Sequence, residues 1–168
     1  MPRNVRPPFI QNAYYHVYDR GNRKNRIFNF PTDNKFFIQK LREIERMTSV
    51  EVVSYCLMDN HYHLVLKQGI GPQISKFMQR VKTSYSQYYN TRYRLVGHTF
   101  QGRYNTRLIK GISGLHNIIH YVIDNPVKAQ YVSNPFYYKW LFVKDSYLHL
   151  IEDNDLTGVR PQTHGKIY

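Results

Sequence analysis

Hydrophobic and polar positions along the chain switch between a two-residue and a 3.6-residue period, and the switches mark out the elements. Residues 13–20 are rich in aromatic and branched side chains and predict a strand. From residue 33 to 48, Phe37, Leu41, Ile44 and Thr48 recur at helical spacing, with Thr32 or Asp33 available as cap. Residues 50–57 and 61–67 predict two strands joined through Asp59-Asn60 as a hairpin. Gly71-Pro72 breaks the chain before a long helix over about 73–92, whose apolar stripe is Ile74, Phe77, Met78, Val81, Tyr85 and Tyr88. Residues 104–110 predict another strand. Ser113 can cap a last strong helix over 114–125, carrying Leu115, Ile118, Ile119, Val122 and Ile123, and Pro126 limits its continuation. Beyond residue 130 the pattern reads as turns and one further helix.

The order strand, helix, strand, strand, helix, strand, helix is a split βαβ pattern. It predicts an α+β fold, with a mostly antiparallel sheet and helices on one face. No repeat, low-complexity segment or dividing linker is visible. The expected organisation is a flexible basic arm over residues 1–9, one domain over 10–152 and a loose tail over 153–168. No run of eighteen apolar residues offers a membrane span, and the first residues lack the apolar stretch of a secretory signal. The single cysteine, Cys56, sits in an apolar run and reads as a buried inert thiol; with no internal disulfide to form, the expected setting is a reducing cytoplasm.

Charge changes the picture more than composition does. Twenty-four Lys and Arg face eleven Asp and Glu, a net +13, which predicts a polyanionic partner. No acidic residue occurs between Asp59 and Asp124, while Lys67, Lys76, Arg80, Lys82, Arg92, Arg94, Arg103, Arg107 and Lys110 all fall there. A solvated helical face would mix signs, so this stretch reads as a phosphate-facing surface. The loop from Gly21 to Arg26 adds Arg23, Lys24 and Arg26, next to Arg20. Sixteen tyrosines and nine phenylalanines supply many rings. Most should be core, but unpaired bases stack on exposed ones at roughly 1–3 kcal/mol each.

Two features could carry chemistry. Alternation on a strand puts His61 and His63 on one face, with Tyr62, Leu64 and Leu66 on the other. Taken alone, this reads as two structural or surface histidines before it reads as a metal pair, and a metal would need a third ligand. On the last helix, with Leu115 at zero, Tyr121 falls at about 240° and Asn125 at about 280°, along one flank of the apolar arc. Both sit at the boundary of core and solvent, where ordinary roles would also fit: a boundary tyrosine and a helix-end residue before proline. His116 and His120 lie on the other flank, an i,i+4 pair able to bind zinc but without an obvious third ligand.

Four separated stretches give these features a context. They are Tyr15-His16-Val17 with Asp19-Arg20-Gly21-Asn22, Tyr55 through Leu64, Phe100-Gln101-Gly102-Arg103-Tyr104, and Tyr121 through Ala129. In this order, over about residues 10–132, the chain resembles the single-tyrosine, His-hydrophobe-His transposases. Within them it is most similar to the branch associated with repetitive extragenic palindromes. The resemblance implies a ferredoxin-like sheet with a tyrosine-bearing C-terminal helix beside it. It implies that His61 and His63 bind a divalent ion, Mg²⁺ or Mn²⁺, that Asn125 is the third ligand, and that Tyr121 is the nucleophile. The insertion-sequence branch has glutamine at the position of Asn125, a longer carbonyl. The resemblance also implies single-stranded hairpin DNA as substrate, a 5′-phosphotyrosine intermediate, and action as a monomer or homodimer.

This chemistry suits the residue types. A cation that polarises a non-bridging oxygen lowers the barrier to attack on a phosphodiester, and a cationic setting helps a phenol with a pKa of about 10. No residue stands out as general base. The expected DNA grip comes from Arg20, Arg23, Lys24, Arg26, Lys76, Arg80, Arg103 and Arg107. Three rivals remain at this level. A non-catalytic single-stranded nucleic-acid-binding module shares the split βαβ sheet and aromatics, but gives no reason for the paired histidines. A metallophosphodiesterase using activated water would survive Tyr121→Phe, and an inactive descendant would keep DNA binding alone.

Overall fold

Alternate side chains along the strand Tyr14–Arg20 (β1) face different layers, and this sorting organises the molecule. Tyr15 and Val17 enter one core, while Tyr14 packs against a second. The structure is a computed structural model that describes residues 9–71 and 73–151. The expected basic arm, apart from Phe9, and the expected tail over 153–168 lie outside the described residues.

The elements after β1 are helix Pro31–Arg46 (α1), strands Glu51–Leu57 (β2) and His61–Lys67 (β3), and helix Gln73–Tyr93 (α2). Strand Asn105–Ile109 (β4), helix Gly111–Lys128 (α3) and strand Leu141–Val143 (β5) complete them. The strands form one antiparallel sheet in the order β4-β1-β3-β2-β5. The expected α+β, ferredoxin-like class is the observed one. The two helices of the split pattern share a face, as their stripes require: Phe37, Leu41, Phe77, Val81 and Tyr85 pack with Val17, Tyr62, Leu64 and Leu66. The tyrosine-bearing helix α3 crosses the other face, where Leu115, Ile119, Val122 and Ile123 meet Val53, Val65 and Ile109. Among the described residues no helix is long and apolar enough to cross a membrane.

A buried carboxylate ties α1 to α2. Asp33 is fully buried at the third position of α1, rather than acting as its cap, and accepts hydrogen bonds from the backbone N–H groups of Asn29 and Phe30. The hydroxyls of Tyr88 and Tyr93 on α2 donate to it as well, at 2.9 and 2.7 Å, and Arg92 lies 3.5 Å away. So many donors offset the cost of burying the charge.

Three details depart from the expected pattern. Gly111, at φ +66°, turns the chain straight from β4 into α3, so the helix starts before Ser113, which is no cap. The same helix runs through Pro126 to Lys128. A proline this near the end removes a single ladder bond, and its ring is buried. Beyond residue 130 there is no α-helix among the described residues. Two 3-10 turns and β5 take its place, with β5 pairing to the outer edge of β2.

Candidate active site

The site forms where three loops lock together at one end of the sheet. Gly21 N–H donates to the Asn60 carbonyl at 2.8 Å, and Ile27 and Phe28 N–H donate to that of Asp59. Arg26 pairs with Asp59 at 3.0 Å, and the Asn60 amide donates to the Lys24 carbonyl. Gly21 also bridges to Phe100, with Gln101 N–H donating to the Arg20 carbonyl. Only glycine fits at 21, because a Cβ there would lie 2.1 Å from the Asn25 carbonyl oxygen. Arg23 and Lys24 both take positive φ, at 54° and 62°, which costs about 1–2 kcal/mol for each residue with a side chain. From below, buried Asp19 pairs with Lys82 of α2, whose ammonium also reaches the Gly102 carbonyl at 2.6 Å and lies 4.8 Å from the centre of the Phe100 ring.

Alternation then aims the chemistry. Fully buried Tyr62 and Leu64 hold β3 in the α1/α2 core and turn His61 and His63 to the α3 side. The two imidazoles lie 5.2 Å apart between centroids, nearly perpendicular at 85°. His61 Nδ1 bonds to Asn60 Oδ1 at 2.7 Å, and His63 Nδ1 to His16 Nε2 at 3.0 Å. Among the described residues neither ligand-type nitrogen left over, the Nε2 of each ring, has a hydrogen-bond partner. Burial, with the nearby imidazoles of His16 and His61, pulls His63 down to about 3. Burial and the Arg107 guanidinium bring His16 to about 4, and burial with Arg20 lowers His61. All three are therefore neutral near pH 7, the state in which imidazole donates a lone pair.

α3 brings a phenol to this pair. The Tyr121 ring meets His63 edge-on, with centroids 5.4 Å apart, and His16 at 5.7 Å, yet the residue is 41% exposed. Lys128, two turns along the same helix face, lies 5.4 Å from the centre of the same ring. Asn125 donates its amide N–H to the Tyr121 carbonyl at 2.7 Å, so its own carbonyl oxygen is the end left over. Among the described residues no three His, Cys, Asp or Glu side chains cluster as a metal site, so two imidazoles need an amide or a substrate oxygen to complete a ligand set. Beside them runs an open cleft of about 740 Å³, lined by Tyr18, Arg20, Lys24, Gln101, Arg103 and Asn105 among others.

A family profile for IS200-like transposases matches residues 9–125. The chain belongs to the IS200-like transposases. The match spans every residue of the site from Tyr15 to Asn125, so the conclusion does not hang on the paired histidines alone. Among solved structures, this transposase is similar to a REP-associated tyrosine transposase bound to a REP hairpin, with a TM-score of 0.71 and 14% identity over 94% of this chain and 95% of that one. It is also similar to a candidate transposase from Deinococcus radiodurans R1, with a TM-score of 0.50 and 15% identity over 71% of this chain and 95% of that one. At such identities the likeness is one of fold. No curated protein matches the sequence.

The expected site residues thus fall into groups. His61, His63 and Tyr121 share one corner of the transposase, with Asn125 one helical turn beyond. Arg20, Lys24 and Arg103 line the cleft, and Arg107 lies over the Tyr18 ring at its edge. Arg26 is engaged with Asp59, and Arg23 is exposed in the turn before it. Lys76 and Arg80 are exposed on α2, across the sheet from the imidazoles. His120 Nε2 donates to the Leu150 carbonyl, 3.3 Å away, so one of the two helical histidines serves the C-terminal turn. Cys56 is buried, its thiol pushed up by burial and directed at Met58 Sδ. Sequence reasoning gave no site role to His16, Asn60 or Gln101, which lie in the resembling stretches but whose roles depend on strand register and loop docking. It counted Lys82 among the phosphate-facing cations, whereas Lys82 is turned inward to buried Asp19 and the Gly102 carbonyl.

Proposed function

We propose that this transposase cuts and rejoins single-stranded, hairpin-containing DNA, with Tyr121 as nucleophile and His61, His63 and Asn125 as ligands of a divalent ion, Mg²⁺ or Mn²⁺. The observation that carries the reading is the exposed Tyr121 ring set edge-on against His63 within the same chain. Two neutral imidazoles, each fixed through Nδ1, and a free amide oxygen fit a small divalent cation. When bound, such an ion would polarise a non-bridging phosphate oxygen.

The chain's own groups account for the rest. Arg20, Lys24 and Arg103 attract the phosphates of an unpaired strand into the cleft, and Tyr18 offers a ring to a base. The Tyr121 oxygen attacks phosphorus as its proton leaves. The bond from phosphorus to the 3′ oxygen breaks, and that oxygen takes up a proton to become a free 3′-OH. A 5′-phosphotyrosine results, which keeps the energy of the broken ester, so a 3′-OH can reverse the step and rejoin strands without ATP. Lys128 puts a cation over the Tyr121 ring, within reach of a phosphate held there. The ring contact made within one chain supports cleavage by the chain's own tyrosine. The relative that binds a REP hairpin supports a hairpin substrate.

The test is incubation of labelled hairpin DNA with the protein and Mn²⁺, followed by denaturing electrophoresis. A protein-linked band should form and vanish in Tyr121→Phe. Binding without any adduct would mark a non-catalytic binding module, and cleavage that survives Tyr121→Phe would mark a water-activating phosphodiesterase.

A further inference from the structure

We propose that His16 is a positioning residue, whose Nε2 accepts a hydrogen bond from His63 Nδ1–H and thereby fixes His63 in the tautomer that turns its Nε2 lone pair outward. The proposal rests on the reading of His61 and His63 as metal ligands.

The structure supplies a matched pair of clamps. The Asn60 amide nitrogen donates to the Lys24 carbonyl, which leaves Oδ1 facing His61. A carbonyl oxygen only accepts, so His61 Nδ1 is the donor there and its Nε2 carries the lone pair. His63 has no amide beside it. It has His16, at 3.0 Å, on the neighbouring strand. If His16 donated instead, His63 would carry its proton on Nε2 and could not bind a cation through that atom. Only the His63-to-His16 direction gives the two ligands the same tautomer.

The setting keeps His16 in this task. Both residues are only 6% exposed, so the bond is largely shielded from water. Register puts Tyr18 opposite His63 and His16 opposite Val65, which makes the imidazoles diagonal neighbours on one face. The rings lie nearly parallel, 5.2 Å apart at 23°. Tyr18 stacks on His16 at 4.9 Å, and Tyr121 meets it edge-on, so the ring is clamped along with the nucleophile. A valine or leucine would fill the same space in a strand. A buried imidazole there, reaching a second imidazole, points to orientation rather than packing.

Two measurements test this on the whole chain. Long-range proton–nitrogen correlation spectra of metal-free protein should show His63 protonated on Nδ1, and that signature should be lost in His16→Phe. Mn²⁺ titration should give an affinity about 10–100-fold weaker in His16→Phe, while His16→Gln, which returns an acceptor near the same point, regains most of it. Wild-type His63 protonated on Nε2 would overturn the proposal even if His16→Phe fails to fold. So would an unchanged Mn²⁺ affinity in His16→Phe when His63→Ala has lost binding, an outcome that leaves the ligand reading standing. Mn²⁺ bound equally well by His63→Ala would overturn both.

Discussion

Tyr121 and His63 meet edge to face, ring centroids 5.4 Å apart and planes at 87°, although nothing local in the sequence brings them together. Two burial patterns do. Alternation in β3 sends Tyr62 and Leu64 into the α1/α2 core, which leaves His63 on the far side of the sheet. The α3 stripe of Leu115, Ile119, Val122 and Ile123 packs on that far side and leaves Tyr121 on its flank. The site is a by-product of two cores filled independently.

The Lys82–Asp19 pair should matter more than an ordinary ion pair. Both groups are largely buried, and Lys82 also holds the Gly102 carbonyl. Lys82→Met leaves a buried carboxylate without its partner and should cost about 3–5 kcal/mol in urea denaturation. Asp19→Asn with Lys82→Met should cost less than the sum of the single changes. Additive costs would show that the pair is not the unit.

Two glycines in the resembling stretches should behave differently. Gly21→Ala forces a carbon against the Asn25 carbonyl and the Ile27 side chain, and should destabilise by about 1–3 kcal/mol while loosening the loop that holds Lys24. At Gly102 nothing lies within 4 Å of an added carbon, so Gly102→Ala should leave thermal stability nearly unchanged. Equal effects at both positions would contradict the loop-docking account.

DNA affinity should fall steeply between 50 and 200 mM salt, with a log–log slope near −0.7 for each phosphate contact to a single strand. Lys24→Gln with Arg103→Gln should flatten that slope and slow cleavage of an unpaired oligonucleotide. Lys76→Gln with Arg80→Gln changes a surface across the sheet, so cleavage of the same oligonucleotide should be unaffected. A response confined to the second pair would move the cleavage groove to α2.

Acid should weaken the metal-free fold through its buried imidazoles. Folded His16 and His63 protonate only near 4 and 3, against about 6.5 in an unfolded chain. Between those values the unfolded state binds more protons. The stability these groups confer is therefore complete above about pH 6.5 and is lost as pH falls toward 4. The melting temperature should drop between pH 7 and pH 5, and drop less in His16→Gln. Identical pH profiles for the two proteins would contradict the assignment.

Much of this was legible in the chain. β1, β2, β3, β4 and all three helices carry clear periods, because each buries one face against a layer. β5 did not show itself: Leu141, Phe142 and Val143 are too few to display alternation, and they are a strand only because the edge of β2 is open to them. Pro126 looked like a stop because local rules ignore how little a proline costs in a last turn. His61, His63 and Tyr121 stood out by motif. His16 did not, since its meaning depends on the register of β1 against β3, and Lys82 took its role only once α2 had docked over Asp19.

The most direct check is to find which DNA end stays on which residue. Hairpin DNA labelled separately at each end is cleaved with Mn²⁺, and the protein-linked peptide is mapped by mass spectrometry. The account predicts that the 3′-labelled fragment stays attached through its new 5′ phosphate to Tyr121, while the 5′-labelled fragment leaves with a free 3′-OH. Attachment of the 5′-labelled fragment, or of either fragment to a residue other than Tyr121, would contradict it.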